Sequence, residues 1–213
     1  MLSCSTAQTR IGILLAVMAV GACACKSRQR ARLNPKTGTT GGVLVFSDDF
    51  ERTEIGKDWL NRSGKWVIKD GMLHGQNDRN EGIWLNTPVP DRFRIEFDAR
   101  ADSAEGDLKF EVCASEQHHQ TGYIVIMGGW NNSLSIIARL NEHGTDRLES
   151  DMRGETGRVY HMMAVRTDRS LLWYVDGKLA LTFEDEDPLH GRFFAFNDWS
   201  APVAFDNLKI FQL

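Results

Sequence analysis

From Val43 to Leu213 the chain alternates apolar and polar residues with a period of two, and Gly, Asp and Asn divide the pattern into short runs. A period of two sends successive side chains to opposite faces of a strand, so most of this region is not helical. The spacing predicts strands over 43–46, 65–69, 72–75, 82–86, 92–100, 107–115, 122–127, 133–140, 160–166, 171–175, 178–183, 191–197 and 203–211. Asp70-Gly71 in "KDGM" and Asp176-Gly177 in "VDGK" supply the positive φ values of tight hairpins. The stretch "NEHGTDRLESDMRGET" is polar enough for a loop or a long hairpin arm. A dozen or so short strands, with no proline inside a central one, describe an all-β fold of two antiparallel sheets packed face to face.

The N-terminal residues follow other rules. Arg10 precedes the apolar run "IGILLAVMAV", and the uncharged span Ile11–Cys25 is short for a transmembrane helix but suits an export signal. "VGAC", Val20–Cys23, resembles a bacterial lipobox, with Val20 where the pattern prefers Leu. That resemblance implies a signal peptide over 1–22 and a lipid-modified Cys23. With Ala24 behind it instead of Asp, it also implies an outer-membrane destination. Cleavage by the ordinary signal peptidase, giving a secreted soluble protein, is the alternative.

Residues 23–42 then read as a flexible tether, with Lys26, Arg28, Arg30, Arg32 and Lys36 set to lie against anionic headgroups. With Arg10 and these five set aside, 19 basic residues face 29 acidic ones, a net of −10. That balance argues against nucleic acid as a partner of the folded part, residues 43–213. The four cysteines show no Cys-x-x-Cys pair and no Cys/His ligand spacing, so a zinc or redox site has no support.

"FSDDFER", "GKWVIKDGMLHG", "RIEFDAR", "GYIVIMGGW", "LLWYVDGK" and "VAFDNLKIFQL" together resemble the concanavalin-A-like lectin/glucanase superfamily, most closely the 3-keto-disaccharide hydrolase domain family. The resemblance covers Val43 to Leu213. It implies the jelly-roll fold and a glycan partner, either bound, as in a lectin, or cleaved by a hydrolase or lyase acting on a (3-keto-)disaccharide or polysaccharide. The superfamily's glucanases carry Glu-x-Asp-x-Glu or Glu-x-Asp-x-x-Glu on one strand, nucleophile first and general acid last. Glu96 and Asp98 match the first two places, but Arg100 and Ala101 stand at the last. Asp102 comes next, roughly 20 Å from Glu96 by strand rise, where a retaining pair needs about 5–5.5 Å. Arg94 and Arg100 flank the two acids and favour their ionised forms, whereas a general acid needs a raised pKa.

The strand therefore reads as a core side, Phe93, Ile95, Phe97 and Ala99, and a self-paired charged side. On the next strand Asp107, Lys109, Glu111 and Cys113 share a face, with Leu108, Phe110, Val112 and Ala114 in the core. Glu111 joins Glu96 and Asp98 as a candidate catalytic carboxylate. The closer family's Asn-Ser-Gly-Ile and Tyr-Glu-x-Gln segments are replaced here by "EGDLKFEV" and "GYIVIMGG", which moves the weight from hydrolysis toward binding.

Sugar-binding candidates are Trp130, Asn131 and Asn132 in "GGWNNS" and Asn197, Asp198 and Trp199 in "FNDWS", with Trp84 and His74 expected on the same concave face. An indole face stacks on sugar C–H groups, and amides and carboxylates pair with vicinal hydroxyls. Turn residues and core-capping tryptophans are the plainer reading of the same residues. "EQHHQ" reads as an exposed loop, since adjacent histidines in a strand point apart. Asp49 in "SDDF" and Asp206 in "FDNL" are candidates for a structural calcium between terminal strands. A non-catalytic surface scaffold is the third functional class these features allow.

Overall fold

The computed structural model describes Met1 and residues 40–213, so the signal peptide, Cys23 and most of the tether lie outside the described residues. Among the described residues the first strands are β1 (Val43–Asp48), β2 (Trp59–Leu60), β3 (Val67–Lys69), β4 (Met72–Gly75) and β5 (Ile83–Leu85). They are followed by β6 (Phe93–Ala101), β7 (Leu108–Ala114), β8 (Tyr123–Gly128), β9 (Leu134–Arg139) and β10 (Arg147–Ser150). The last five are β11 (Val159–Arg166), β12 (Ser170–Val175), β13 (Lys178–Glu184), β14 (Phe193–Asn197) and β15 (Val203–Gln212).

One sheet runs β13-β12-β11-β6-β15-β4-β3, with β1 also pairing β15; the other runs β10-β9-β8-β7-β14-β5-β2. Every pairing is antiparallel. These are the two antiparallel sheets that the period of two predicts, in the jelly-roll arrangement that the resemblance implies.

Between the sheets lies one continuous apolar core. Phe93, Ile95, Phe97 and Ala99 of β6 meet Leu108, Phe110 and Val112 of β7 and Phe194 and Phe196 of β14. Phe97 is the hub, with its ring centroid 5.1 Å from Phe110, 5.1 Å from Phe196 and 6.0 Å from Phe205. Both Asp-Gly hairpins form as expected: Asp70 and Gly71 sit at φ 51° and 73°, Asp176 and Gly177 at 49° and 73°.

Of the two readings of the polar stretch from Asn141, the hairpin arm holds, supplying β10 on β9. Two features depart from the sequence reading. Trp59–Leu60 adds a short strand against β5. Cys113 does not share the face of Lys109 and Glu111. It sits at φ 55°, the pairing of β7 with β14 shifts register there, and this bulge turns Cys113 into the core. Ala114 consequently faces outward, against Trp84 and Ala195.

Candidate functional site

The outer face of the second sheet carries the polar residues of β7. Pairing lines up Trp84, Ala195, Glu111, Ile124, Ala138 and Arg147 across six strands, and Asn197, Lys109, Ile126 and Ile136 in the next row. Glu111 is fully buried. Its Oε1 lies 2.6 Å from His119 Nδ1 and accepts a hydrogen bond from Asn197 Nδ2 at 2.6 Å, while Oε2 accepts from the Gln120 N–H at 3.2 Å. Lys109, also buried, donates to Asn80 Oδ1 at 2.7 Å and sits 3.2 Å from Glu142 and 3.8 Å from Asp107. His119 Nε2 and Glu142 Oε2 face each other at 3.8 Å, both buried and without a hydrogen-bond partner. Residues of the 77–82, 116–121 and 141–146 loops thus lie over the sheet, and Ile124, Ile126, Ile136 and Ala138 beneath them are buried as well. The face is closed, and its charges are satisfied mainly by one another.

At one end of this sheet the loops converge on three buried aspartates. Asp107 precedes β7; its N–H donates to the Gly128 carbonyl, and its Oδ2 accepts the Trp199 N–H. Burial pushes the Asp107 carboxyl above the usual range. Asp78 accepts from the N–H groups of Asn80 and Gly82 and from the Trp66 indole. Asp198 accepts the Asp78 N–H at 2.9 Å, and burial, with the Asp78 carboxyl beside it, pushes its own carboxyl up to about 9.

The turns tied to Asp107 carry two exposed indoles, Trp130 at 38% and Trp199 at 54% of full exposure. Trp130, Asn131 and Asn132 are successive left-handed residues at φ 52°, 57° and 56°. A left-handed turn costs L-residues roughly 1–2 kcal/mol each, so something must hold it. Asn132 does: its Nδ2 donates to the Gly154 carbonyl at 2.7 Å and its Oδ1 accepts the Gly154 N–H at 2.8 Å. The Ser133 N–H closes the turn onto Gly129 at 3.0 Å. His143 meets the Trp130 ring edge-on at 5.6 Å, and the Arg147 guanidinium lies 5.2 Å from its centroid. Arg79, itself left-handed at φ 57°, donates its N–H to the Trp199 carbonyl at 3.0 Å. Through Asp107 the two tryptophan turns are joined into one rim.

The sequence candidates fall into separate places. Glu96 and Asp98 lie on the outer face of the first sheet, away from Glu111, so the three carboxylates do not converge. Glu96 pairs with Arg94 at 2.5 Å; Asp98 contacts His161 at 3.0 Å and accepts from Asn207 at 3.0 Å. Arg100 pairs with Asp102, not Asp98. His74 is also on the first sheet, 3.9 Å from Asp102, and burial lowers its pKa. Trp84 is on the second sheet's outer face but fully buried. Asn197 and Asp198 are buried beneath the rim, Asn132 is the clasp of the left-handed turn, and Asn131 is exposed beside Trp130.

Asp49 Oδ1 accepts the Glu51 N–H and Asp206 Oδ1 the Asn207 N–H, and no group of three or more metal-ligating side chains occurs among the described residues. That is a thin set for calcium, which takes roughly six to eight oxygens. Sequence reasoning missed Asp78, Arg79, Asp107, Glu142 and the seating of His119 on Glu111. "NDRNEG" and "EGD" contain turn formers but no motif, so nothing in them signals that their side chains meet.

No family model matches the chain. An extracellular exo-alpha-L-arabinofuranosidase of Streptomyces chartreusis is 25% identical over 154 residues, which are 72% of this chain and only 18% of that protein. The chain therefore matches under a fifth of that relative's length. Among solved structures, the carbohydrate-binding module CBM66 from Bacillus subtilis aligns with a TM-score of 0.62 at 16% identity, over 75% of this chain and 98% of the module. The laminarinase from Flavobacterium sp. UMI-01 aligns at 0.59 and 12% identity, over 79% of this chain and all of that one. LamA from Z. galactanivorans, solved with laminaritriose and laminaritetraose, aligns at 0.56 and 14%, over 80% and 99%. These likenesses define the concanavalin-A-like jelly-roll fold.

Proposed function

We propose that residues 43–213 bind a carbohydrate at the rim formed by Trp130 and Trp199, in an exported protein held to the bacterial envelope through Cys23. The observation that carries this reading is the pairing of two exposed indoles on turns that share Asp107. Tryptophans that capped the core would be buried, as Trp59, Trp66, Trp84 and Trp173 are. Two indole faces offer a sugar ring stacking surface, and the exposed Asn131 amide and Arg79 guanidinium offer hydrogen bonds to its hydroxyls. The names of the similar proteins, a carbohydrate-binding module and several glycan-cleaving enzymes, lend support.

Hydrolysis, including that of a 3-keto-disaccharide, is the second reading. It rests on Glu111, His119 and Glu142, where two carboxylates and an imidazole converge beneath the loops of the second sheet. Glu111 is sealed from solvent, however, and a general acid must reach the glycosidic oxygen within hydrogen-bond distance. Binding at the rim needs no such opening.

A glycan array probed with the full chain tests the proposal. Trp130→Ala and Trp199→Ala should each weaken retention of the bound glycan about tenfold, roughly 1.4 kcal/mol, while the melting temperature stays nearly unchanged. Undiminished retention by both variants would refute the rim. The anchor is tested separately by palmitate labelling, which Cys23→Ser should abolish; labelling that persists removes the lipoprotein reading.

A further inference from the structure

We infer that Asp78 and Asp198 share a single proton that clamps the Arg79 loop to the Trp199 loop, which makes the pair the positioning device of the rim. The two Asp78 oxygens accept three N–H donors, from Asn80 at 2.9 Å, Gly82 at 2.9 Å and Trp66 Nε1 at 2.8 Å. These donors use the Asp78 oxygens as acceptors. Asp198 uses Oδ1 to accept the Asp78 N–H, but its Oδ2 is buried with no donor at all. Burial raises the Asp198 carboxyl, and so does the Asp78 side chain beside it. Two carboxylates in a dry contact do not both ionise. A proton on Asp198 Oδ2, donated to Asp78, satisfies the orphaned atom and removes one of the two charges.

The surroundings reinforce that state. Asp107 faces Asp198 and Asp78 from the start of β7, and Glu142 faces Asp107 from the 141–146 loop. The only cation among these groups is Lys109, which already contacts both Asp107 and Glu142. Arg79 turns its guanidinium away, toward Asn77 Oδ1 at 3.4 Å.

The clamp acts directly on the rim. Beside the shared proton, the Arg79 N–H donates to the Trp199 carbonyl at 3.0 Å and the Asn80 N–H to the Asp198 carbonyl at 2.9 Å. Loss of the proton to solvent breaks one hydrogen bond and leaves two like charges in contact between the loops. Trp199 and Arg79 then separate, and the rim loses its shape. The consequence for affinity rests on the sugar-binding reading; the clamp itself does not.

Two measurements on the full chain therefore separate the claims. The first follows the Trp199 indole N–H resonance from pH 6 to 11. It should shift with a midpoint near 9, together with that of Trp66, whose indole donates to Asp78, and ahead of the other four tryptophans, and Asp198→Asn, whose amide donates permanently to Asp78, should abolish the shift. A shift that is missing in the native chain, that survives in Asp198→Asn, or that moves all six indoles together would overturn the clamp. The second compares each protein's affinity at pH 10 with its own at pH 7, using the best glycan from the array. The native chain should lose tenfold or more and Asp198→Asn less than twofold; equal losses overturn the positioning role. If no glycan is retained at any pH, the binding proposal fails and the indole titration still decides the clamp.

Discussion

Asp198 has an effect on stability as well as on the rim. Its folded pKa, about 9, lies above the ordinary unfolded value of about 3.9. A raised carboxyl binds its proton more tightly in the folded chain, so its contribution is complete below pH ~4 and is lost as pH rises toward 9. Asp198→Asn is free of this loss. The gap in melting temperature between variant and native chain should widen in the variant's favour from pH 5 to pH 8; a constant gap would contradict the assignment. Asn132→Ala should destabilise by about 1–3 kcal/mol in urea unfolding, because it unties both bonds to Gly154 and leaves Trp130 and Asn131 in a left-handed turn without a clasp. "GGWNNS" announced a turn, since Gly and Asn tolerate positive φ. It could not announce that Trp130 adopts positive φ too, because that depends on Gly154, some two dozen residues downstream.

The strands were legible to within a few residues because alternation is a local property. β6 is the clearest case: its odd-numbered positions from Phe93 to Ala101 are buried, and Glu96, Asp98 and Arg100 are only half-buried on the other face. Phe97→Ala should cost about 3–5 kcal/mol, since it empties the centre of the aromatic cluster. Glu96→Ala or Asp98→Ala should cost less than about 1 kcal/mol and leave glycan retention unaltered. A loss of retention in either would return "RIEFDAR" to the functional site. What alternation could not show is the bulge at Cys113, where contacts with β14 override the local period. Nor could it show which sheet each strand joins. Glu96 and Glu111 sit on neighbouring strands in sequence, yet β6 and β7 belong to different sheets, and their charged faces point away from each other.

The start of β1 and the tryptophan turns lie at opposite ends of the jelly roll. The chain reaches β1 at Val43, paired with Gln212, which pairs in turn with Phe93 at the start of β6. Asp107 and the tryptophan turns lie past the other end of β6, nine residues or roughly 27 Å along the strand. An attachment through residues 23–42, as proposed, would therefore leave the rim at the far end. On the proposal that Cys23 is acylated, the full chain on phosphatidylethanolamine–phosphatidylglycerol vesicles should bind glycan with the affinity it shows in detergent; affinity lost on the vesicle would place the rim against the membrane. The chain also carries its own reporters. Of its six tryptophans, Trp59, Trp66, Trp84 and Trp173 are buried and Trp130 and Trp199 are exposed. Indole N–H spectra recorded while the array's best glycan is titrated in should show Trp130 and Trp199 shifting with saturation and the other four still. Shifts confined to Trp84, the indole beside the sealed Glu111 face, would contradict the rim and give the hydrolase reading its site.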